Sequence, residues 1–132
     1  MDREALVVEQ FTTDLETGGR AVVEALDAAN LSIGAAFWFL APGETSWRLV
    51  VASQLVAALG PRAFYKKVDK VLRKVAPPTV PIDSINALPL NHPLVSLLRS
   101  ALQTGPGLSG IRFVGNVING VLIPDAYIYR LQ

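Results

Sequence analysis

The sequence predicts a single α+β domain over residues 1–132: an antiparallel sheet from two β-hairpins, about four to five strands, packed with about three to four helices. Three observations predict it. "AAFWFL" and "WRLVVAS" flank a Pro-Gly turn, and aromatic and β-branched runs around such a turn form a hairpin. "GIRFVGNVINGVLIPDAYIYRL" places apolar runs on both sides of Asn119-Gly120, a two-residue turn whose members tolerate positive φ. Between and before these hairpins, apolar residues recur at helical spacing.

The first element is a helix. Leu6 or Val7, Phe11, Leu15, Gly18, Val22, Leu26 and Ala29 step by three and four residues. Asp2 suits its N-cap, Glu4 its first turn, and Asn30 its left-handed end. Such a helix would extend about 42 Å, as long as the domain itself. Gly18 and Gly19 interrupt it, so a bend at the pair, or a close backbone approach at Gly18, is expected.

The first hairpin follows. Ile33, Ala35, Phe37 and Phe39 share one strand face, and Trp38 and Leu40 the other. Both faces are apolar, so the strand is expected to be central and covered on both sides. Trp38 and Trp47 flank the turn as packing residues. "QLVAALG" reads as a short helix, and Pro61 opens a second one reaching Val75. Its inner face is Phe64, Val68, Val71, Leu72 and Val75. Residues 76–91 form a proline-rich loop in which Val80 and Ile82 fit a short edge strand. Asn91 is the expected cap of a helix with Pro93 in its first turn. In the last hairpin, a two-residue loop sets Arg112 opposite Tyr127 and Phe113 opposite Ala126. Pro124 implies a bulge or an edge position.

Composition narrows the function classes. There is no Cys, which removes disulfides and thiolate metal sites. The first residues lack a cationic, apolar leader, and no apolar run reaches a membrane span, so a cytoplasmic protein with no membrane partner is expected. The chain is 51% apolar and 17% charged, richer in apolar residues than an average domain. Net charge is only +1, but it is unevenly placed. Residues 1–30 carry seven acids and two bases; residues 61–75 carry six bases and one acid, Asp69.

Sites with chemistry are few. "GPGLSG", Gly105 to Gly110, fits a dinucleotide-binding spacing, but a helix precedes it and a strand follows, the reverse of the order that presents a helix N-terminus to phosphate. No cofactor and no metal is therefore expected. His92, the only histidine, with Asp83 and Ser84 upstream, is the one fragment of a catalytic group. Glu44 and Arg48 could pair across the first hairpin turn. Tyr127 and Tyr129 could form a stacking platform if they share an exposed face, and otherwise belong to the core.

The basic stretch is the most distinctive feature. Arg62, Lys66, Lys70, Arg73 and Lys74 climb one helix side at four-residue steps. They suit phosphate contact or an acidic protein surface, though Lys offers charge without the planar fork used for reading bases. The expected function is a non-enzymatic binding or assembly module that self-associates as a homodimer, with Phe11, Leu15, Gly18 and Val22 as its seam. The alternatives are a nucleic-acid accessory protein using residues 61–75, and a small enzyme using Asp83 and His92.

Overall fold

The computed structural model of the chain describes residues 7–75 and 80–132. Helix α1 (Thr13–Ala28) is followed by β1 (Ile33–Leu40), β2 (Arg48–Ser53), α2 (Gln54–Leu59) and α3 (Pro61–Leu72). A 3-10 turn (Ile82–Ser84) leads into β3 (Ile85–Leu88), then α4 (Pro93–Ala101), β4 (Ile111–Ile118) and β5 (Val121–Leu131). The strands form one open sheet in the order β3-β2-β1-β5-β4. All pairs are antiparallel except β2 with β3. The α+β class and the two hairpins therefore stand as the sequence implies.

β1 lies at the centre, covered on both faces. Ala36, Trp38 and Leu40 point into a core cluster with Val22, Val23 and Leu26 of α1 and Phe64, Val68 and Leu72 of α3. Ala35 and Phe37 point into the opposite cluster with Val95 and Leu98 of α4. Each fully buried Leu or Phe side chain contributes roughly 1.5–3 kcal/mol, so this double coverage is the main source of stability. Ile33 departs from the simple alternation. The register slips between Ile33 and Ala35, leaving Gly34 as an extra residue, and Ile33 joins the α1 side.

α1 is shorter than its periodicity suggests. Thr12 is its N-cap, with Oγ1 accepting from the Leu15 amide at 3.2 Å. Residues 7–12 are not helical, because their groups are engaged elsewhere. The Glu9 amide donates to the Thr45 carbonyl, while Glu9 accepts from the backbone amide and the indole N–H of Trp47. Phe11 stacks on Tyr127 at 4.8 Å. The apolar spacing at Val7 and Phe11 thus reflects sheet contacts rather than helix. Asp2, Glu4 and Leu6 lie outside the described residues. Asn30 ends α1 as expected, with φ +60° and the Leu31 amide reaching back to the Leu26 carbonyl.

The proline-rich loop contains more order than its composition suggests, although residues 76–79 lie outside the described residues. Val80 is buried and Ile82 opens the 3-10 turn; neither is in a strand. The strand comes three residues later, as β3. It runs parallel to β2, pairing Leu49 with Ile85 and Val51 with Ala87. The helices α2 and α3 form the crossover that a parallel pair requires. His92 rather than Asn91 caps α4, through Nδ1 accepting from the Leu94 amide at 3.1 Å.

The last hairpin follows its expected register: Arg112 opposite Tyr127, Phe113 opposite Ala126, and Asn119-Gly120 with both φ positive, as a type I′ turn demands. Pro124 sits where β1 has already ended, since Leu40 pairs with Asp125. It occupies an edge position on that side without a register slip.

Candidate functional site

Two surfaces stand out once the core is accounted for. One is the free edge of the sheet at β4. The other is the outer face of α3.

The sheet's two edges are built differently. β3 is four residues long and follows Pro81 and precedes Pro89. Tyr65 of α3 lies along its outer side: the phenol oxygen accepts from the Ala87 amide at 2.8 Å and faces the Ile85 carbonyl at 3.4 Å. Arg48 donates to the Asp83 carbonyl at 2.7 Å, closing the entry to the strand. Arg48 is therefore engaged with Asp83 rather than with Glu44. Short length, proline and covering side chains are the usual devices that stop an edge from pairing with another chain.

β4 has none of these, although Gly115 at φ +60° interrupts its extended path. The strand is eight residues long, contains no proline or lysine, and carries one charge, Arg112. That charge is neutralised within the hairpin by a bidentate pair with Asp125 at 2.6 Å. The hydrogen bond to Asp125 raises the Arg112 pKa, against the opposing effect of burial. The guanidinium also lies over the rings of Phe11 and Trp47, at 5.2 and 5.6 Å. Beyond this pair the hairpin projects past β1, and its side chains lose their cover. Val114, Val117, Val121 and Leu122 are 62%, 65%, 47% and 49% exposed. Val117 and Leu122 sit directly opposite each other. These residues went unnoticed in the sequence, where they read as ordinary strand residues; the signal available was Pro124, which marks where neighbouring strands stop.

The expected dimer seam has a different fate. Gly18 and Val22 are buried within the chain, and Phe11 and Leu15 pack against the same cluster. Gly19 is a point of close approach. A Cβ there would collide with the indole nitrogen of Trp38 and the phenol of Tyr129. Those two groups reach the α1 backbone because Gly19 leaves room. The Trp38 N–H donates to the Leu15 carbonyl at 3.0 Å, and the Tyr129 hydroxyl donates to the Glu16 carbonyl at 2.6 Å. Tyr129 is fully buried and Tyr127 half-buried, edge-to-face at 5.4 Å, so the pair is core rather than a stacking platform.

The basic residues are placed as their spacing requires. Arg62, Lys66, Lys70, Arg73 and Lys74 are all exposed, as is Lys67. Among the described residues only Arg73 has an acid partner, Asp69 at 3.0 Å. Two of the four acids of α1 are paired elsewhere, Glu16 with Arg20 and Asp27 with Arg130, both at 2.9 Å, while Asp14 and Glu24 are exposed.

The expected catalytic fragment is not brought together among the described residues. Asp83 precedes β3 and His92 follows it, so the strand holds them apart at opposite ends. No group of three or more His, Cys, Asp or Glu suited to a metal occurs among the described residues. An open polar cleft of about 540 Å³ is lined by Asp27, Asn30, Ser32, Gln54, Arg130 and Gln132. Its cation is already committed: Arg130 binds both Asp27 oxygens and the Ile33 carbonyl, and its unbonded Nε is buried away from solvent. The "GPGLSG" segment runs beside β5, with the Ser109 amide donating to the Tyr129 carbonyl at 2.6 Å. No helix among the described residues is long and apolar enough to cross a membrane. The chain matches no known family model, no curated protein and no solved structure.

Proposed function

We propose that the chain is a non-enzymatic assembly module that self-associates through its β4 edge and the outer half of the β4–β5 hairpin. The observation that carries this reading is the exposure of Val114 and Val117 on edge strand β4, and of Val121 and Leu122 on its hairpin partner β5, where no described residue covers them. A second copy is the fitting occupant. Two antiparallel β4 strands related by a two-fold axis would satisfy each other's free backbone groups and set the valines of one copy beside those of the other across the seam. Symmetric pairing brings like charges together, and here that penalty is small because Arg112 is already neutralised by Asp125.

Light scattering over a dilution series tests the reading. The expected mass at high concentration is twice 14.2 kDa, falling toward 14.2 kDa on dilution. Val117→Lys should remove the dimer, since lysine on a free edge opposes pairing. A wild-type mass of 14.2 kDa throughout the micromolar range would refute it.

A further inference from the structure

We propose that the outer face of α3 is a docking surface for the phosphate backbone of nucleic acid, contacted without regard to base sequence. It is separate from the assembly surface. α3 lies beside β3, where Tyr65 anchors it, and β4 is at the other end of the sheet.

The first argument is charge left over. Five cations, Arg62, Lys66, Lys67, Lys70 and Lys74, are exposed and have no acid partner among the described residues. The acidic first helix could have balanced them, yet two of its four acids, Glu16 and Asp27, pair with Arg20 and Arg130. Like charges along one helix side repel by a few tenths of a kcal/mol per pair, so the row stands at some cost to the free protein. A polyanion would relieve it.

The second argument concerns which polyanion. An acidic protein partner would need apolar or aromatic anchors between the charges, because such anchors carry most protein–protein affinity. α3 offers none. Its Phe64, Val68 and Leu72 are buried, Tyr65 and Val71 pack against the core, and no large apolar residue from Pro61 to Val75 is exposed. The same packing prevents the helix from inserting an apolar face into a lipid surface. Leu59, 44% exposed, borders the face at its start beside Arg62 and Lys66; along α3 itself the face works by charge, which is how phosphate backbones are held.

The third argument is dimension. From Arg62 to Lys70 the helix rises about 12 Å at 1.5 Å per residue. That corresponds to between three and four nucleotides of one strand at about 3.4 Å each, similar to the number of cations in the row. Lys supplies most of them, and its flexible stem suits phosphates at variable positions rather than base edges.

Fluorescence anisotropy with a labelled duplex of mixed sequence tests the proposal. Binding should appear at about 20 mM salt and weaken with a log–log slope near −4, as expected for four to five neutralised phosphates. Scrambling the duplex sequence should leave the affinity within about twofold, because contacts to phosphate carry no sequence information. Lys66→Glu with Lys70→Glu should reduce affinity more than tenfold and flatten the slope by about two. Both residues are exposed, so the thermal midpoint of that variant should match the wild type and confirm that it is folded. Val117→Lys, carried alongside, should still bind DNA, keeping failure of the assembly surface distinct from failure of this one. Absence of binding at low salt, binding indifferent to the double charge reversal, or binding to phosphatidylserine vesicles but not to DNA would each overturn the proposal.

Discussion

Near its base, β5 carries Tyr127, Ile128, Tyr129, Arg130 and Leu131; near its tip it carries Val121, Leu122 and Ile123. Both stretches are apolar enough to be core. The base is core: Ile128, Tyr129 and Leu131 are fully buried. The tip is covered on one side only, where Ile123 and Ile118 reach the cluster under α4. The difference lies in the neighbours. At the base β1 pairs with β5, and a bulge in β5 makes Tyr129 the extra residue. Tyr129 and Arg130 can then both reach α1, one binding the Glu16 carbonyl and the other the Asp27 carboxylate. Past Asp125 there is no β1, and the same kind of sequence is left facing water. Apolar character sets what a strand can bury, and the length of the adjacent strand decides how much of it is buried.

The base should be fragile. Gly19→Ala should cost roughly 2–4 kcal/mol, since overpacking against Trp38 and Tyr129 outweighs the better helix propensity of alanine. Chemical denaturation reads this directly. A variant as stable as the wild type would show that α1 can shift away from the sheet without loss.

Tyr129 gives the base a pH signature. Burial raises its pKa well above the ordinary 10.0, with the hydrogen bond from Trp38 opposing the shift. The unfolded chain loses this proton from about pH 10 upward, while the folded protein retains it. The neutral phenol's contribution is therefore complete below pH 10 and declines as pH rises beyond it. Tyr129→Phe should lower stability at neutral pH by about 1–2 kcal/mol, through lost hydrogen bonds. It should also flatten the alkaline decline. An equally steep decline in the variant would assign the alkaline sensitivity to other groups.

The tip should be tolerant. Val117→Thr and Leu122→Thr, made singly, should each change the monomer's denaturation energy by less than about 0.5 kcal/mol, as exposed substitutions do. A loss as large as that of Gly19→Ala would mean that the tip is as integral to the fold as the base.

The sequence was most legible where local chemistry decides structure. Asn119-Gly120 dictates a turn and its register, and Pro42-Gly43 a second one. The amphipathic spacing of α3 sorts its cations from its core residues without reference to the rest of the chain. It was least legible where distant groups compete. Phe11 keeps helical spacing with Leu15, yet Trp47 and Tyr127 hold residues 9–11 in a non-helical path. β3 has the short apolar alternation of many loops, and only its pairing with β2 across two helices makes it a strand. The exposed valines were hard to read for the same reason: their state depends on where β1 ends, and Pro124 is the one local mark of that point.

Backbone hydrogen exchange at β4 tests the assembly surface most directly. In a two-residue hairpin the residues flanking the turn form a hydrogen-bonded pair, and pairs then alternate. Ile118 flanks the turn opposite Val121, so the Val117 amide points to the free edge. In a β4–β4 assembly this amide should exchange slowly at high protein concentration and quickly on dilution, while the Ala87 amide, held by Tyr65, stays unchanged. Rapid exchange of Val117 at every concentration would contradict the account.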